Sequence, residues 1–269
     1  MLSKTSAGIA AELRAQIKSG GFKPGEKLPT MKDLMEDHGI SKSTARKVLT
    51  SLKDEGLATY RAGRNMGTFV RRPPVDRMIR SRKMERDEMG YYSGKDVQHW
   101  RQVPGTSTVV GHRPAPPDIA RLLGVEPGTF VYTRERFVGD PDRPEHRQAA
   151  DSWLHPELVE AIPAVMGNTG LGGVYDRVEE WVEGPIYWEE EVTAAIPSPE
   201  ESKTLLLPSG VALLRLLRTS TVKKGRREIT VEVQEIRMSA DLFSVKYPVM
   251  RRGDAKWPVR PAGQDFYSG

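Results

Sequence analysis

The stretch that decides the fold is HGISKSTARKVLTSLKDEG, residues 38–56. Ser41 is a favoured helix N-cap, and Gly56 stands where a helix typically ends. Between these two residues the apolar side chains recur at the spacing of a single helix face, as Ala45, Val48, Leu49 and Leu52. The stretch therefore predicts an amphipathic helix that buries one face in a protein core.

The opposite face of this helix is polar and basic. It carries Lys42, Ser43, Arg46, Lys47, Thr50 and Lys53. The first four belong to the opening turns, where the recognition helix of a helix-turn-helix meets base edges. For an isolated helix, a polar face that simply meets solvent is the ordinary alternative to a DNA-reading face. The neighbouring segments decide between these two interpretations.

Those neighbouring segments predict two more helices and a hairpin. A first helix is indicated by one apolar stripe that ends at two glycines, namely Ile9, Leu13 and Ile17 before Gly20-Gly21. A second helix starts at Thr30, with Asp33 as its capping-box partner, and stops at Gly39. Two short strands, 57–61 and 67–71, follow the third helix around a tip rich in glycine, asparagine and arginine. The order predicts a winged helix-turn-helix, whose wing could reach phosphate or the minor groove through Arg61, Arg64, Asn65 and the amide of Gly67.

The distribution of charge separates this head from the remainder of the chain. Residues 1–72 hold 14 Lys/Arg against 7 Asp/Glu, a surplus of +7, whereas residues 73–269 hold 27 against 29, or −2. A small basic domain is the electrostatic footprint of a protein that neutralises DNA phosphates. No apolar run is long enough to cross a membrane, cysteine is absent, and the five histidines have no metal-ligand spacing. We therefore expect a soluble, cytoplasmic protein with no metal or other cofactor and no membrane partner.

The segments after the head, which we bound at 1–72, predict a second domain. Residues 73–92 are charge-rich and begin with two prolines, which indicates a linker that could form a short helix through Met78 and Met84. Residues 93–250 contain alternating strand patterns at 107–112, 130–138, 186–196, 213–222 and 229–238, interleaved with helix patterns at 117–123, 155–164, 174–181 and 199–206. An antiparallel sheet with helices packed on it, an α+β domain, is expected, followed by a tail over 251–269.

The head resembles the DNA-binding domain of the GntR family. The resemblance rests on Pro24-Gly25, Leu28-Pro29, Gly39-Ile40-Ser41, Thr44, Arg46, Glu55-Gly56-Leu57 and Gly67-Thr68-Phe69-Val70, in order and spacing. It implies DNA contacts from Lys32, Ser41, Lys42, Ser43, Thr44, Arg46, Lys47, Arg61, Arg64, Asn65 and Gly67. Lys32 and Lys42 stand where the family usually has arginine, and lysine lacks the bidentate fork that reads a guanine. We therefore expect an operator unlike that of an ordinary relative.

The second domain resembles the UTRA effector domain of the HutC subfamily, whose fold is like that of chorismate lyase. The resemblance rests on residues 120–125, Pro127-Gly128, Arg134-Glu135-Arg136, Ser152-Trp153-Leu154 and a last strand around 232–243. Matching the pocket of relatives that bind sugar phosphates, it implies an effector site made of Tyr92, Ser93, Arg134, Arg136, Ser152 and Glu232. Alternate residues of a strand share a face, so two guanidiniums can converge on an anion. The alternative for both arginines is a charge ladder on the protein surface.

Two positions depart from the pattern of those relatives. Met238 stands where they have a tyrosine, and Leu242 where they often have an arginine. We therefore expect a more apolar pocket, and an effector other than a simple amino-sugar phosphate.

Together the two resemblances imply a sequence-specific transcription regulator, of the repressor type, that binds a palindromic operator as a homodimer and is released by a small-molecule effector, anionic if the two arginines meet it. A ligand-independent DNA binder that controls a mobile element, and a chorismate-lyase-like enzyme fused to a DNA-binding head, stay open as alternatives. An enzyme would need an acid or base near the anion site, but no nucleophile is spaced to His99, His112, His146 or His155. We therefore expect no catalytic residues. The histidines are expected to be structural or solvated, and Glu189–Glu191 are expected to form an exposed strand.

Overall fold

The computed structural model of the protein describes residues 5–63, 66–72, 74, 76–80, 83–87, 90–92, 97–167 and 173–249. The head comprises α1 (Ser6–Ser19), α2 (Met31–His38), α3 (Lys42–Asp54), β1 (Ala58–Arg61) and β2 (Gly67–Val70). The two strands pair in antiparallel fashion. The predicted winged helix-turn-helix is confirmed, with each boundary within about two residues of its expected place.

Side-chain caps fix the N-terminal ends of α2 and α3. The Thr30 amide donates to Asp33 Oδ2 at 2.8 Å, and the Asp33 amide donates to Thr30 Oγ1 at 3.2 Å, which completes the predicted capping box. The Thr44 amide donates to Ser41 Oγ at 3.2 Å. Each bond satisfies an amide that helix geometry leaves without a partner, and such a cap contributes about 1 kcal/mol.

The apolar stripes of the three helices meet in one core. Its buried members are Ile9, Ala10, Leu13, Leu28, Leu34, Ala45, Val48, Leu49, Leu52, Ala58 and Val70. All four inward residues predicted for α3 belong to this set. Their burial turns the polar face of α3 toward solvent.

The second domain is built on an antiparallel sheet. Its elements are β3 (Met78–Arg80), β4 (Glu85–Asp87), β5 (Gly90–Tyr92), β6 (Arg101–Gln102), β7 (Val109–Pro114), α4 (Pro117–Leu123), β8 (Phe130–Gly139), β9 (Arg147–Leu154), α5 (Pro156–Ala161), a 3₁₀ helix (Pro163–Met166), α6 (Gly173–Val182), β10 (Tyr187–Ala195), α7 (Pro199–Thr204), β11 (Leu213–Lys224), β12 (Arg227–Ser239) and β13 (Phe243–Val245). The sheet order is β10-β11-β12-β9-β8, and both β6 and β7 pair with the outer edge of β8. The predicted α+β class is confirmed.

The two faces of this sheet are covered differently. Helix α4 packs on one face, where Leu217 and Val233 are buried with it. Helices α5 and α6 cover one end of the other face, around Leu154 and Val222. A separate apolar cluster covers the far end of that second face: Trp100, Leu216, Ile236, Met238 and Phe243. A band of polar side chains lies between the two clusters.

Three details differ from the expectations. The short linker helix is not formed, because residues 78–80 form β3 beside β13, and residues 85–92 contain the β4–β5 hairpin. Strand β9 was not predicted, since nearly all of it is buried and its sequence does not alternate. Helix α5 ends at Ala161 and is followed by a 3₁₀ turn, because Pro163 has no amide to continue an α-helix.

Candidate functional site

The first two turns of α3 present cations to solvent. Ser41, Lys42, Ser43, Arg46 and Lys47 are exposed, and Thr44 is half-buried. The Ser41 hydroxyl oxygen lies 2.9 Å from the hydroxyl oxygens of Ser43 and Thr44, so these side chains form part of the cap. The basic residues of these turns could enter a groove without displacing core side chains.

The other predicted DNA contacts surround this helix. Lys32 on α2 is exposed and lies 3.7 Å from Glu36. In the wing, the Arg61 guanidinium lies 4.6 Å from the centre of the Phe69 ring, which stacks an exposed cation beside Gly67 at the start of β2. Arg64 and Asn65 lie outside the described residues.

The polar band on the sheet encloses a cavity of about 270 Å³. Its lining consists of Met84, Tyr91, Arg134, Arg136, Ser152, Leu154, Val165, Val174, Tyr175, Arg218, Glu232 and Gln234. Cross-strand pairing places one residue from each of four adjacent strands in a row, as Arg134, Ser152, Gln234 and Arg218. The sheet itself therefore brings together polar groups that are up to 100 residues apart in sequence, as Arg134 and Gln234 are.

Four of the predicted effector residues line this cavity, namely Arg134, Arg136, Ser152 and Glu232. The side chain of Tyr92 and the whole of Ser93 lie outside the described residues. The neighbouring Tyr91 contributes to the lining from β5. The two arginines thus face the cavity and not the outer surface of the sheet.

The two arginines are short of acceptors. The Nε atoms of Arg134 and Arg136 are buried without a hydrogen-bond partner among the described residues, and Arg136 Nη2 is 3.4 Å from the Ser152 hydroxyl. Burial and the adjacent charge of Arg136 lower the pKa of Arg134, and Glu232 only partly offsets this. Two guanidiniums that repel each other favour an anion between them.

Glu232 is fixed by a tyrosine of α6. The Tyr175 hydroxyl donates to Glu232 Oε2 at 2.7 Å. Burial, with the charge of Glu232, raises the pKa of Tyr175, so its hydroxyl stays protonated as a donor. A β-bulge adjoins Glu232, because Ser220 pairs with Glu232 while Thr221 pairs with Thr230. Bulges often redirect side chains at functional sites.

Arg218 is a cavity residue that sequence reasoning missed. It is buried and lies 2.9 Å from Glu190, whose side chain is also buried. The expectation of an exposed strand at Glu189–Glu191 is therefore wrong for Glu190, although its two neighbours are exposed. The sequence did contain a signal for this pair. Arg218 lies on the same face of β11 as Leu216 and Ser220, and a charged side chain on a buried face needs a partner.

An aromatic cluster adjoins the cavity, which two of its members, Tyr91 and Tyr175, line, and this cluster was also missed. The ring of Tyr91 lies 5.4 Å from that of Trp188 and 6.3 Å from that of Tyr175. Tyr91 Oη donates to Glu179 on α6 at 3.1 Å. These residues come from three distant segments, and the segment around Tyr91 was expected to be a linker, so no local pattern joined them.

Met238 and Leu242 do not supply the apolar lining expected of them, although Met84, Leu154, Val165 and Val174 do line the cavity. Met238 is fully buried in the apolar cluster with Trp100 and Ile236, and Leu242 packs against the same cluster. Neither residue lines the cavity. The reason is register, since Met238 lies six residues beyond Glu232 on β12 and reaches the far end of the sheet.

Three of the histidines make packing or capping contacts. His146 is buried, its ring 5.4 Å from that of Phe243, and burial lowers its pKa. His155 caps α5, since the Glu157 amide donates to its Nδ1 at 3.2 Å. His112 stacks on Tyr132 at 4.5 Å. Among the described residues no group of three His, Cys, Asp or Glu side chains is placed to hold a metal ion, and no helix is long and apolar enough to cross a membrane.

Comparison with known proteins identifies both domains. Residues 5–70 match the family described as bacterial regulatory proteins, gntR family, and residues 102–244 match the UTRA domain, which by itself spans more than half of the chain. The chain belongs to the GntR family. Its relatives are regulators of the HutC type, so this GntR-family regulator is a DNA-binding transcription regulator with a UTRA effector domain, and not an enzyme.

The similarity to individual relatives extends over most of both chains. The HTH-type transcriptional regulator SCO4628 of Streptomyces coelicolor is 29% identical over 228 residues, which cover 81% of this chain and 83% of that protein. The HTH-type transcriptional repressor NagR of Bacillus subtilis is 25% identical over 223 residues, with 81% and 84% covered. A crystal structure of a GntR-family transcriptional regulator aligns over 92% of this chain and 98% of its own, with a TM-score of 0.57 and 26% identity.

Proposed function

We propose that this GntR-family regulator is a repressor that binds its operator as a homodimer and releases it when an anionic small molecule enters the sheet cavity. The observation that carries the proposal is the convergence of Arg134 and Arg136 on one cavity of the UTRA domain, with buried Nε groups that have no hydrogen-bond partner in the part of the chain that the structure describes. The similar Bacillus subtilis protein is named a repressor, which supports repression rather than activation of transcription. A DNA-binding regulator acts where the chromosome lies, in the cytoplasm.

On the DNA side, each copy places α3 in a major groove. Two copies related by a two-fold axis then read a palindrome with half-sites about 34 Å apart. Base edges would be met by Lys42, Ser43, Arg46 and Lys47, and phosphates or the minor groove by Lys32, Ser41, Thr44, Arg61, Arg64, Asn65 and Gly67. The basic surplus of the head supplies the sequence-independent part of the affinity.

In the cavity, an oxyanion of the effector accepts hydrogen bonds from Arg134 and Arg136. The Ser152 hydroxyl lies within reach of the same anion, because it already approaches Arg136. Glu232 keeps one carboxylate oxygen, Oε1, for a hydroxyl or ammonium group of the ligand, since Tyr175 occupies Oε2. An acceptor-rich ligand with at least one donor group fits this arrangement.

The test begins with an operator selected from random DNA, which is then titrated against a panel of anionic metabolites. Arg134→Ala should bind the operator as the wild type does and lose the response to whichever anion releases the wild type. Arg113→Ala, at an exposed arginine on the next strand, is the matched control and should respond normally. An Arg134→Ala protein that still responds would contradict the cavity assignment.

Linkage supplies a second check. If the effector lowers operator affinity by some factor, the operator must lower effector affinity by the same factor. Equal effector affinity with and without operator DNA would contradict the release mechanism.

A further inference from the structure

The end of the recognition helix meets the UTRA domain backbone to backbone. A Cβ added to Gly56 would lie 2.8 Å from the carbonyl oxygen of Gly210, and a Cβ added to Gly210 would lie 2.2 Å from the backbone nitrogen of Gly56. Both separations are shorter than any real side chain tolerates. The two backbones can therefore touch only while both residues are glycine.

Arg71, the first residue after the wing, connects the same two parts. Its amide donates to the Leu57 carbonyl at 2.8 Å, and its Nε donates to the Gly56 carbonyl at 2.5 Å. Its Nη1 forms an ion pair with Asp241 of the UTRA domain, and both side chains are less than one-fifth exposed. One guanidinium thus fastens the C-terminal end of α3 to the second domain through a shielded, charge-assisted bond.

Asp241 belongs to a turn that also holds the linker. Within this turn, Ala240 O accepts from Arg77 Nε at 3.2 Å, and Leu242 O accepts from the Met78 amide at 2.8 Å. The turn follows directly on β12, the strand that carries Glu232 in the cavity. A strand that lines the cavity therefore ends where the head is attached.

The head and the UTRA domain have separate apolar cores. In the described part of the chain, the apolar core of the head and the three apolar clusters of the UTRA domain share no buried residue. Domains joined without a large apolar interface move relative to each other by default. The pose of the head must then depend on the few contacts at this place.

We propose that Gly56, Arg71, Gly210 and Asp241 form a joint, here called the head joint, that positions the recognition helix on the UTRA domain and so sets the spacing of the two helices in the dimer. The proposal rests on the homodimeric repressor proposed above and names the place where its head is positioned. The joint uses the last turn of α3 and leaves Lys42 and Arg46 exposed on the first turns. It therefore holds the helix without covering the surface that reads DNA.

Gly210→Ala tests the joint, and Gly225→Ala is its matched control. Both glycines have positive φ, +75° and +63°, so alanine brings similar backbone strain at either site. A Cβ at Gly225 meets nothing within 4 Å, whereas a Cβ at Gly210 collides with Gly56. We expect Gly210→Ala to bind a full palindromic operator about tenfold more weakly while binding to a single half-site changes less than about twofold, because only paired binding requires a fixed spacing. Gly225→Ala should match the wild type on both DNAs.

A distance measurement tests the pose without DNA or effector. The chain contains no cysteine, so spin labels can be attached at Glu12→Cys on α1 and Glu228→Cys on β12, both exposed positions. Labelled chains are mixed with excess unlabelled chain so that each dimer carries one labelled copy. A narrow distance distribution is expected for the wild type and Gly225→Ala, and a broad or displaced one for Gly210→Ala and Asp241→Ala.

An unchanged distribution in Gly210→Ala would overturn the proposal, as would an unchanged ratio of full-site to half-site affinity or tighter binding to the full operator. These outcomes are distinguishable from failure of the proposed function. An Arg134→Ala protein that still responds to effector contradicts the cavity assignment and leaves the joint standing. An unchanged pose in Gly210→Ala contradicts the joint whatever the cavity binds.

Discussion

Replacing Asp151 with asparagine should remove a pH dependence from the stability of the UTRA domain. Asp151 is buried on the face of the sheet away from the cavity, in an ion pair with Arg237. Glu235 and Glu135 lie directly across from it on the two neighbouring strands. Burial first, and then these two carboxylates, raise the pKa of Asp151 from 3.8 to about 6, although Arg237 acts in the opposite direction.

The sign of the effect follows from proton linkage. A carboxyl whose pKa is higher in the folded chain than in the unfolded chain binds its proton more tightly when folded. Its stabilising contribution is complete below about pH 4 and is lost as the pH rises through about 6. Raising the pKa of Asp151 from 3.8 to about 6 corresponds to about 3 kcal/mol in total, of which about 1.4 kcal/mol separates pH 8 from pH 5.

The assay is urea unfolding of the wild type and Asp151→Asn at several pH values between 5 and 8. The free energy of unfolding of the wild type, minus that of the variant, should increase by about 1.4 kcal/mol from pH 8 to pH 5. Burial lowers the pKa values of His146 and His155, so their contributions to the free energy of unfolding decrease as the pH falls below about 6.5. This decrease is the same in both proteins and cancels in the difference. Asp142→Asn, at an exposed loop aspartate, should follow the wild type. Parallel curves for the wild type and Asp151→Asn would refute the reasoning.

Two other substitutions test the reading helix and the cavity wall. Arg46→Ala should weaken operator binding by about 1 to 3 kcal/mol and relax base preference, whereas Lys53→Ala should weaken binding to all DNA sequences alike. Binding measured against a library of operator variants separates the two effects. No loss of affinity with Arg46→Ala would mean that α3 does not read bases. Tyr175→Phe removes a donor from the buried carboxylate of Glu232 and should lower the free energy of unfolding by about 1 to 3 kcal/mol. The control is Tyr187→Phe, at an exposed tyrosine, and equal stability of the two variants in urea unfolding would count against a stabilising role for the Tyr175 hydroxyl.

The head could be predicted almost to the residue because its signals are local. The caps at Thr30 and Ser41 act within four residues of themselves, and the apolar stripe of α3 repeats every three or four residues. The long strands β8, β11 and β12 were found for a similar reason, since alternation is visible along a single segment.

The parts that were missed depend on contacts between distant segments. Strand β9 is buried over nearly its whole length and therefore lacks alternation, and β3 exists because it pairs with β13, more than 160 residues later. In the cavity, Arg134 and Glu232 were found through resemblance to a family. Arg218 and Tyr175 enter the lining only because β11 and α6 lie against the same polar band, which no single segment reveals.

The head joint also has a consequence for engineering. Two of its residues, Gly56 and Arg71, come with the head, and the other two, Gly210 and Asp241, come with the UTRA domain. A biosensor assembled by fusing this UTRA domain to a foreign DNA-binding head would inherit only half of the contact. Chimeras would therefore need glycine and arginine grafted at those two positions of the incoming head before the sensing domain could hold it in place.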